Sequence, residues 1–355
     1  MANKRTAELV YNHAAEIAEV ATTLQYKRMP ELESRYGKTG REKCLQDAGY
    51  HLSYLAEAIL SESPLLFRDY IGWAQQMLSA RNIPAKDLAV NLNCIKEALA
   101  QRLPIESFVV AAKYMNSAMN QLESAFEPIE SFLKSDHTLK ATAEKYLQLL
   151  LNGKRNQASQ LILQEVEKGV AVKELYLEVF QPVQHEIGRL WQLNKVSVAQ
   201  EHYCTAATQM IMSQLYEHIF NSERNGYRLV ATCISGDLHE VGIRMVADFF
   251  EMEGWDTFYL GANTPIESII RTLREQEANL LIVSATMAYH VRAVSDLIEA
   301  IRRDTTLKSV KIMVGGYPFN VAPELWQAIG ADAFANNAAA AIEKANDLLR
   351  ALPLK

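Results

Sequence analysis

Cysteines and long apolar runs are scarce in this sequence. Its four cysteines, Cys44, Cys94, Cys204 and Cys233, lack the spacing of a metal site and fit reduced thiols used as small buried hydrophobes, so no disulfide or zinc framework is predicted. No segment is uniformly apolar over the roughly 18 residues that a membrane span needs. The basic pair near the start is not followed by the apolar stretch of a secretory signal. We therefore expect a cytoplasmic protein with no membrane contact.

An excess of positive charge is also missing. The formal net charge is -6, and no segment concentrates the Lys and Arg that phosphate contacts need, so direct binding to nucleic acid is not expected. Apolar residues make up 49% of the chain and charged residues 22%, a globular composition. Because a domain has about 100 to 200 residues, the length of 355 residues predicts more than one. We expect three, at residues 1–134, 135–224 and 225–355.

The first of these domains is predicted to be all-helical. Apolar positions recur at three- and four-residue spacing, as in Leu52, Leu55, Ala56 and Ile59, which indicates amphipathic helices. Prolines such as Pro64 stand where a helix would begin. We expect four or more helices, in a domain that serves sensing or interaction.

The second domain is also predicted to be helical. The polar stretch 135–138 suits a linker and a helix N-cap, and breaks such as Asn152-Gly153 and Lys168-Gly169 separate the helices. Four helices joined by short connections form a small bundle. They are predicted at 139–152, 154–168, 171–194 and 197–222.

The third domain begins near Tyr227, where β-rich runs start to alternate with helical stretches. Five parallel strands with helical crossovers give a Rossmann-like or flavodoxin-like sheet. The strands are predicted at 229–235, 257–260, 280–284, 311–314 and 332–335, and the helices at 241–253, 265–277, 288–303, 320–329 and 337–351. Ligands of such sheets bind beyond the carboxyl ends of the strands, so the residues just after each strand are the candidates for a site.

The loop 236–242 follows the first strand and holds a candidate metal ligand. It lacks a dinucleotide fingerprint and instead places a carboxylate and an imidazole two residues apart, Asp237 and His239. A neutral imidazole binds a metal through one ring nitrogen, and a carboxylate that accepts the other N–H fixes the tautomer and makes the ligand more basic. The same run equally fits a loop histidine beside an aspartate helix cap, so further positions are needed.

Small residues follow the third and fourth strands. Ser284 and Thr286 come after the third strand, and Gly315, Gly316 and Tyr317 come after the fourth. Small residues let a bulky group approach the backbone closely, and glycines permit conformations that side chains forbid. Either run alone does not identify a ligand.

Taken together, these strand ends resemble the cobalamin-binding domain of methionine synthase and its relatives, with Asp-x-His-x-x-Gly, Ser-x-Thr and Gly-Gly in that order. The resemblance implies a cobalamin in which His239 displaces dimethylbenzimidazole as the lower cobalt ligand, while the cofactor's tail enters a channel in the sheet domain. It also implies a four-helix cap over the corrin, which the second domain would supply. The residues implied at the cofactor are Asp237, Leu238, His239, Gly242, Ser284, Thr286, Gly315, Gly316 and Tyr317.

A further pattern in the second domain concerns the upper face of the corrin. Trp191 is followed after nine residues by Glu201 and His202. By themselves these residues also fit the end of an amphipathic helix and an acidic helix start. The pattern resembles the cap of CarH-type light-dependent regulators, and it implies that Trp191, Glu201 and His202 select 5′-deoxyadenosylcobalamin, whose cobalt–carbon bond light breaks.

Two departures limit what carries over from the CarH-type proteins. Those regulators have a His directly after the Trp that captures cobalt after illumination, whereas this chain has Gln192, so the light-state ligand stays open. They also begin with a winged-helix DNA-binding domain of the MerR type, and residues 1–130 show neither its mixed pattern nor its basic recognition helix. The output must therefore differ, and we expect a homo-oligomer or a separate signalling protein.

The first domain holds two motifs to consider. Gly37-Lys38-Thr39 is not a P-loop, because Leu32 occupies the position of the first glycine and no strand leads in. Cys44, Tyr50 and His51, together with an aromatic row (Phe67, Tyr70 and Trp73), are candidates for a second chromophore pocket. Photocobilins join a cobalamin module to a helical bilin-binding domain, and that resemblance implies biliverdin or another tetrapyrrole. The alternative is that these residues are core and the bundle serves oligomerisation or partner binding.

The leading functional prediction is a nonenzymatic adenosylcobalamin light sensor, in which photolysis alters contacts between domains or subunits. The alternative is a corrinoid methyl carrier, which shuttles a methyl group between partner methyltransferases and needs an open upper face. A radical mutase subunit has no support, because the chain lacks the eightfold βα repeat of the barrel that encloses the substrate.

Overall fold

The structure is a computed structural model that describes residues 2–122, 129–134, 137–220 and 223–350. It divides into two compact units. Unit 1 comprises residues 1–127, 287–292 and 321–328, and unit 2 comprises residues 128–286, 293–320 and 329–355. The predicted linker residues Ser135 and Asp136 lie outside the described residues. The three-domain division, with boundaries at residues 134 and 224, stays a prediction.

Unit 1 contains the helices of the first predicted domain, and its helical character is confirmed. The predicted apolar stripe from Leu52 to Ile59 is buried in its core, and Pro64 stands in the first turn of its helix, where its missing N–H costs nothing. Gly37 lies inside the longest helix and kinks it. The helices are α1 (Ala2–Asn12), α2 (Ala14–Arg28), α3 (Glu31–Leu60), α4 (Pro64–Ser79), α5 (Ala85–Arg102) and α6 (Ile105–Leu122).

Unit 2 begins with the helices of the second predicted domain, which we call the cap. They are α7 (Lys140–Leu151), α8 (Arg155–Glu167), α9 (Val172–Leu175), α10 (Gln181–Gln192), α11 (Val198–Gln214) and α12 (Tyr216–Ile219). A capping box of Ser197 and Gln200 begins α11 and satisfies backbone donors that the first helical turn leaves without partners.

The third cap helix differs from the prediction of one regular helix over 171–194. A π-helical turn, Tyr176–Phe180, joins α9 to α10, because Pro182 in the first turn of α10 has no N–H for the regular hydrogen-bond ladder. The turn also contacts the sheet domain: Tyr176 donates a hydrogen bond of 2.8 Å from its hydroxyl to the buried Asp248 carboxylate. The cap is therefore joined to the sheet domain through both apolar packing and a buried polar contact.

The sheet of unit 2 has the predicted doubly wound form. Five parallel strands, β1 (Arg228–Ile234), β2 (Asp256–Thr264), β3 (Leu280–Ser284), β4 (Lys311–Gly315) and β5 (Ala333–Phe334), are ordered β2-β1-β3-β4-β5. The order reverses at β1, and ligands of such sheets bind where neighbouring connections diverge. The described helices that follow the strands are α13 (Val241–Met252), α14 (Ile266–Glu275), α15 (Val291–Arg303), α16 (Tyr317–Val321), α17 (Leu325–Ala328) and α18 (Ala338–Leu349).

Three details of this domain differ from the prediction. Strand β2 continues to Thr264 rather than ending at Leu260. A 3₁₀ turn, Ala288–His290, precedes α15. The single helix predicted over 320–329 is two short helices, and Pro323 stands between them, where a proline disfavours helical backbone at the residue before it. Among the described residues, no helix is both long and apolar enough to cross a bilayer.

Candidate functional site

The loop after β1 is organised around Asp237, whose side chain is completely buried. One carboxylate oxygen, Oδ1, accepts hydrogen bonds from the backbone N–H of His239 at 3.0 Å and from its ring Nδ1 at 2.8 Å. The other oxygen, Oδ2, accepts from the backbone N–H of Thr286 at 2.5 Å. Asp237 therefore links the loop after β1 to the loop after β3.

The orientation and exposure of the His239 ring suit a metal ligand. Its side chain is 56% exposed, and donation from Nδ1 to Asp237 leaves the lone pair on Nε2. The hydrogen bond to Asp237 raises the pKa of His239, and the negative charge of Glu201 in the cap raises it further. The ring is thus an electron-rich imidazole, fixed by a buried carboxylate, that can donate to a metal through Nε2.

The end of β2 supports the same loop, a role that the sequence prediction missed. Asn263 donates its backbone N–H to the carbonyl of Asp237 at 2.9 Å and accepts from the backbone N–H of Gly236 through its side chain at 2.7 Å. Ala262 donates its backbone N–H to the carboxylate of Glu240 at 3.0 Å. The sequence predicts that β2 ends at Leu260, so Ala262 and Asn263 are not among the candidate site residues. The position of Asn263 at the carboxyl end of a parallel strand is the feature that could have identified it.

The predicted residues after β3 and β4 lie side by side. Ser284 and Gly315 are register partners on the neighbouring strands. Gly316 has a φ of +103°, and a Cβ there would lie 2.0 Å from the carbonyl oxygen of Ala285. A side chain at this position is excluded both by the backbone conformation and by the lack of space, so the backbone at Gly316 packs directly on that of Ala285.

The remaining predicted residues of the sheet domain follow β1 and β4 in the sequence. Leu238 is 73% exposed and Tyr317, the first residue of α16, is 53% exposed. Gly242 is the second residue of α13 and is also exposed. The loops after β1 and β4 therefore each expose a large side chain that can contribute apolar surface.

In the cap, the three predicted upper-face residues stand at the facing ends of two helices. Trp191 is the penultimate residue of α10, and Glu201 and His202 belong to the first turns of α11. His202 Nε2 lies 3.5 Å from Glu201 Oε2, and Glu201 Oε1 accepts a hydrogen bond from the Thr205 hydroxyl at 3.0 Å. Gln192, next to Trp191, is buried.

In unit 1, the candidate chromophore residues on α3 are in different environments. Cys44 donates its thiol to Gln25 Oε1 at 3.0 Å, and burial raises the pKa of this thiol to about 11. Tyr50 is exposed, and its hydroxyl accepts from Gln46. His51 is buried, with Nδ1 2.9 Å from the Tyr70 hydroxyl. A protonated, hydrogen-bonded thiol is a poor nucleophile, so the geometry does not favour covalent attachment of a pigment at Cys44.

The aromatic row of unit 1 packs against His51. The ring of Tyr70 stacks on Tyr54 with centroids 3.6 Å apart, and Trp73 and Phe67 lie within 6.3 Å of Tyr70. Burial lowers the pKa of His51 to about 4, so this imidazole is neutral near pH 7. His51 and the aromatic row thus form one apolar cluster, which Tyr50 faces away from.

Comparison with known protein families agrees with this architecture. Residues 227–345 match a family of B12 binding domains, and residues 142–216 match a second family with the same description. Residues 2–122 match the phycobilisome protein family. The first two matches correspond to the sheet domain and the cap, and the third corresponds to the helices of unit 1.

Two similar individual proteins are dimethylamine corrinoid proteins. Dimethylamine corrinoid protein 1 of Methanosarcina mazei is 32% identical over 122 residues, which are 34% of this chain and 55% of the relative. Dimethylamine corrinoid protein 3 of the same organism is 32% identical over 34% of this chain and 71% of its own length. The chain thus spans little more than half of the first of these relatives.

A solved structure shares the fold of the cap and sheet. The monomethylamine corrinoid protein of Methanosarcina barkeri superposes with a TM-score of 0.54 and 22% identity, over 60% of this chain and all of that protein. At this identity the likeness establishes the fold. The family matches and the 32% identity to dimethylamine corrinoid protein 3 lead to one conclusion: the chain belongs to the B12-binding corrinoid proteins, and the predicted cobalamin cofactor is confirmed.

Proposed function

We propose that His239 binds the cobalt of cobalamin from below, through Nε2. The observation that supports this role is the buried Asp237 carboxylate, which accepts hydrogen bonds from Nδ1–H of His239 and from the backbone N–H of Thr286. A ring fixed in this way donates through its other nitrogen without further ordering, which strengthens metal binding. Asp237 acts as a positioning residue in this proposal.

The loops after β3 and β4 fit the bulky tail of the same cofactor. Gly316 has no room for a Cβ beside Ala285, and Ser284 is the register partner of Gly315. We propose that the small residues at these strand ends let the tail of the cofactor approach the backbone, and that the exposed Leu238 and Tyr317 offer apolar surface to it. Thr286 and Gly242 complete the lining that we propose.

We further propose that the protein is a nonenzymatic light sensor that binds 5′-deoxyadenosylcobalamin, with Trp191, Glu201 and His202 at the upper ligand. The single observation that supports this function is that Trp191 lies at the end of α10, while Glu201 and His202 lie in the first turns of the next long cap helix, α11. When bound, adenosylcobalamin supplies a cobalt–carbon bond that visible light breaks. The protein recognises the adenosyl group, and loss of this group alters contacts between domains or subunits.

The match of unit 1 to phycobilisome proteins favours a second pigment in this sensor. The name of that family refers to bilin pigments, and the buried cluster of His51 and Tyr70 offers polar groups inside an apolar setting, as small-molecule sites do. Because the Cys44 thiol is held protonated, we propose that biliverdin or another tetrapyrrole binds there without a covalent bond.

A second function, the corrinoid methyl carrier, is favoured by the named relatives, which are methylamine corrinoid proteins. A carrier and a sensor both need the lower ligand in the sheet domain. The two functions differ at the upper face, since a carrier must expose the cobalt to partner methyltransferases. Cap residues that enclose an adenosyl group would oppose that exposure.

The deciding experiment compares two cofactor forms in the dark and after green light. The full chain is loaded with adenosylcobalamin or methylcobalamin, and binding and absorption spectra are recorded for the wild type, for Trp191→Ala and for the conservative control Trp191→Phe. The sensor predicts a preference for adenosylcobalamin that Trp191→Ala removes and Trp191→Phe keeps, with a light-induced spectral change.

Two outcomes reject the sensor. The absorption spectrum is unchanged after illumination with and without oxygen, or methylcobalamin is preferred and Trp191→Ala has little effect on adenosylcobalamin. The second outcome supports the methyl carrier. Size-exclusion chromatography of the same samples tests the predicted homo-oligomer, because a light-dependent change in assembly shifts the elution volume, while a fixed volume directs the search to a separate signalling protein.

A further inference from the structure

Glu240, the residue directly after His239, has a carboxylate that is fixed from two sides. Its Oε1 accepts a hydrogen bond from Gln209 Nε2 in the cap helix α11 at 2.9 Å. Its Oε2 accepts from the Tyr259 hydroxyl and from the Ala262 backbone N–H, both at 3.0 Å. Three donors to one carboxylate define its position closely, because each charge-assisted bond is stronger than a neutral one.

The end of β2 has the shape that this carboxylate needs. Gly261 has a φ of +80°, and a Cβ there would lie 3.1 Å from Glu240 Oε2, which is tighter than ordinary packing. On the other side of His239, the Asn263 backbone N–H binds the carbonyl of Asp237. The chain is therefore attached to β2 both before and after His239, and the Gln209 contact extends this support into the cap.

The helix that carries Gln209 also carries two of the proposed upper-face residues, Glu201 and His202. Glu201 and Gln209 belong to α11, and a regular helix transmits a shift or tilt of one end to the other because its hydrogen-bond ladder is stiff. We infer that Glu240 is a positioning residue that couples the upper-face cap helix to the His239 loop through Gln209. The inference rests on the proposed ligation of cobalt by His239.

This coupling is reciprocal. If an upper ligand moves α11, Gln209 changes the position of Glu240 and with it the strength of ligation by His239. The strength of ligation by His239 must then in turn affect the affinity for that upper ligand. Coupling free energies between protein sites correspond to factors of about 5 to 150 in affinity. Removal of the Gln209–Glu240 hydrogen bond should therefore make the affinity for the upper ligand independent of ligation by His239.

A double-mutant cycle tests the inference on the full chain. Dissociation constants for adenosylcobalamin are measured by absorbance titration in the wild type, Gln209→Ala, His239→Ala and the double variant. Coupling predicts that the double variant binds at least about fivefold more tightly than the product of the two single effects. If the two effects multiply to within about twofold, the inference is overturned.

A matched control lies on the same helix. Gln214 of α11 accepts a hydrogen bond from Ser159 within the cap at 2.5 Å, so Gln214→Ala removes a comparable contact without touching Glu240. Its effect should multiply with that of His239→Ala. A non-multiplicative cycle for Gln214→Ala as well would show that any weakening of the cap has this result, and it would contradict a specific role for Gln209.

A second variant reads the lower ligand directly. Glu240→Gln keeps the size of the side chain but turns an amide N–H group toward hydrogen-bond donors. The fraction of bound cobalamin with histidine ligation, read from the absorption spectrum, should therefore fall. Gln214→Ala should leave this fraction unchanged. An unaltered fraction in folded Glu240→Gln would overturn the inference. If His239→Ala itself leaves the wild-type spectrum unchanged, the proposed ligation fails instead, so the two failures are distinguishable.

Discussion

Two histidines, one in each unit, show how a local partner sets the chemistry of the same side chain. His239 in unit 2 is more than half exposed and donates Nδ1–H to a carboxylate. His51 in unit 1 is 3% exposed and has a tyrosine hydroxyl as its Nδ1 partner. The carboxylate raises the pKa of His239, and burial lowers the pKa of His51 to about 4.

The difference separates a metal ligand from a core residue. His239 combines an anionic partner with access from outside, which is what ligation requires. His51 is buried and has a neutral hydrogen-bond partner, Tyr70, so it can contact a pigment only as a neutral, hydrogen-bonding group.

Asp237→Asn should weaken cobalamin binding by about 10- to 100-fold, the usual loss when the partner of a ligating histidine is changed. The amide would turn an N–H toward donors that now reach the carboxylate, either the ring of His239 or the backbone of Thr286. Absorbance titration of wild type and variant measures the change. Equal affinities would mean that His239 does not need Asp237 for ligation, and the carboxylate partner would then not distinguish His239 from His51.

His51→Leu should destabilise unit 1 without changing cobalamin affinity. The substitution leaves the buried Tyr70 hydroxyl without its partner, a loss of about 1 to 3 kcal/mol in the free energy of unfolding. Denaturant unfolding followed by circular dichroism gives the stability, and titration gives the affinity. A stability equal to that of the wild type would show that the His51–Tyr70 contact contributes nothing to the fold.

The same variant should change the pH dependence of stability. Because the pKa of His51 is lowered from 6.5 to about 4, the unfolded chain takes up a proton before the folded chain does. His51 therefore stabilises the fold above about pH 6.5, and this contribution is lost as the pH falls toward 4. Between pH 7.5 and pH 5 the wild type should lose about 2 kcal/mol more than His51→Leu; parallel curves from unfolding at several pH values would contradict the buried, neutral assignment.

Cys44→Ser should have the smallest effect. The thiol is kept protonated, with a pKa of about 11, so a tetrapyrrole bound in unit 1 should bind within about twofold of the wild-type affinity and should dissociate when the protein is denatured in acid. A pigment that stays on the denatured wild-type chain but not on Cys44→Ser would establish covalent attachment and reverse this expectation.

Much of unit 2 could be predicted because the sequence patterns that indicate its strands, its helices and the His239 motif are local. The buried strands alternate with amphipathic helices, and the motif around His239 follows directly from its position after β1. The family matches confirm the cobalamin cofactor that the motif predicted. The roles of the individual site residues, the adenosyl form and the light response stay predictions.

The parts that sequence reasoning missed depend on contacts between distant residues. Glu240 adjoins the predicted ligand, yet its partners Gln209 and Tyr259 come from the cap and from β2. Asn263 supports the loop from a strand that runs four residues beyond its predicted end. Nothing in the spacing of Cys44, Tyr50 and His51 indicates that Tyr50 faces solvent while His51 is buried, because only the packing of neighbouring helices decides which helix face is covered.

The role of His239 as the lower ligand of cobalt is tested most directly by electron paramagnetic resonance. The full chain is labelled with ¹⁵N only at histidine, loaded with cobalamin and reduced to cobalt(II). Ligation by histidine predicts that the nitrogen splitting changes from a triplet to a doublet on labelling, and that the doublet is lost in His239→Ala. A triplet that persists in the labelled wild type would show dimethylbenzimidazole still bound to cobalt and would contradict the proposed site.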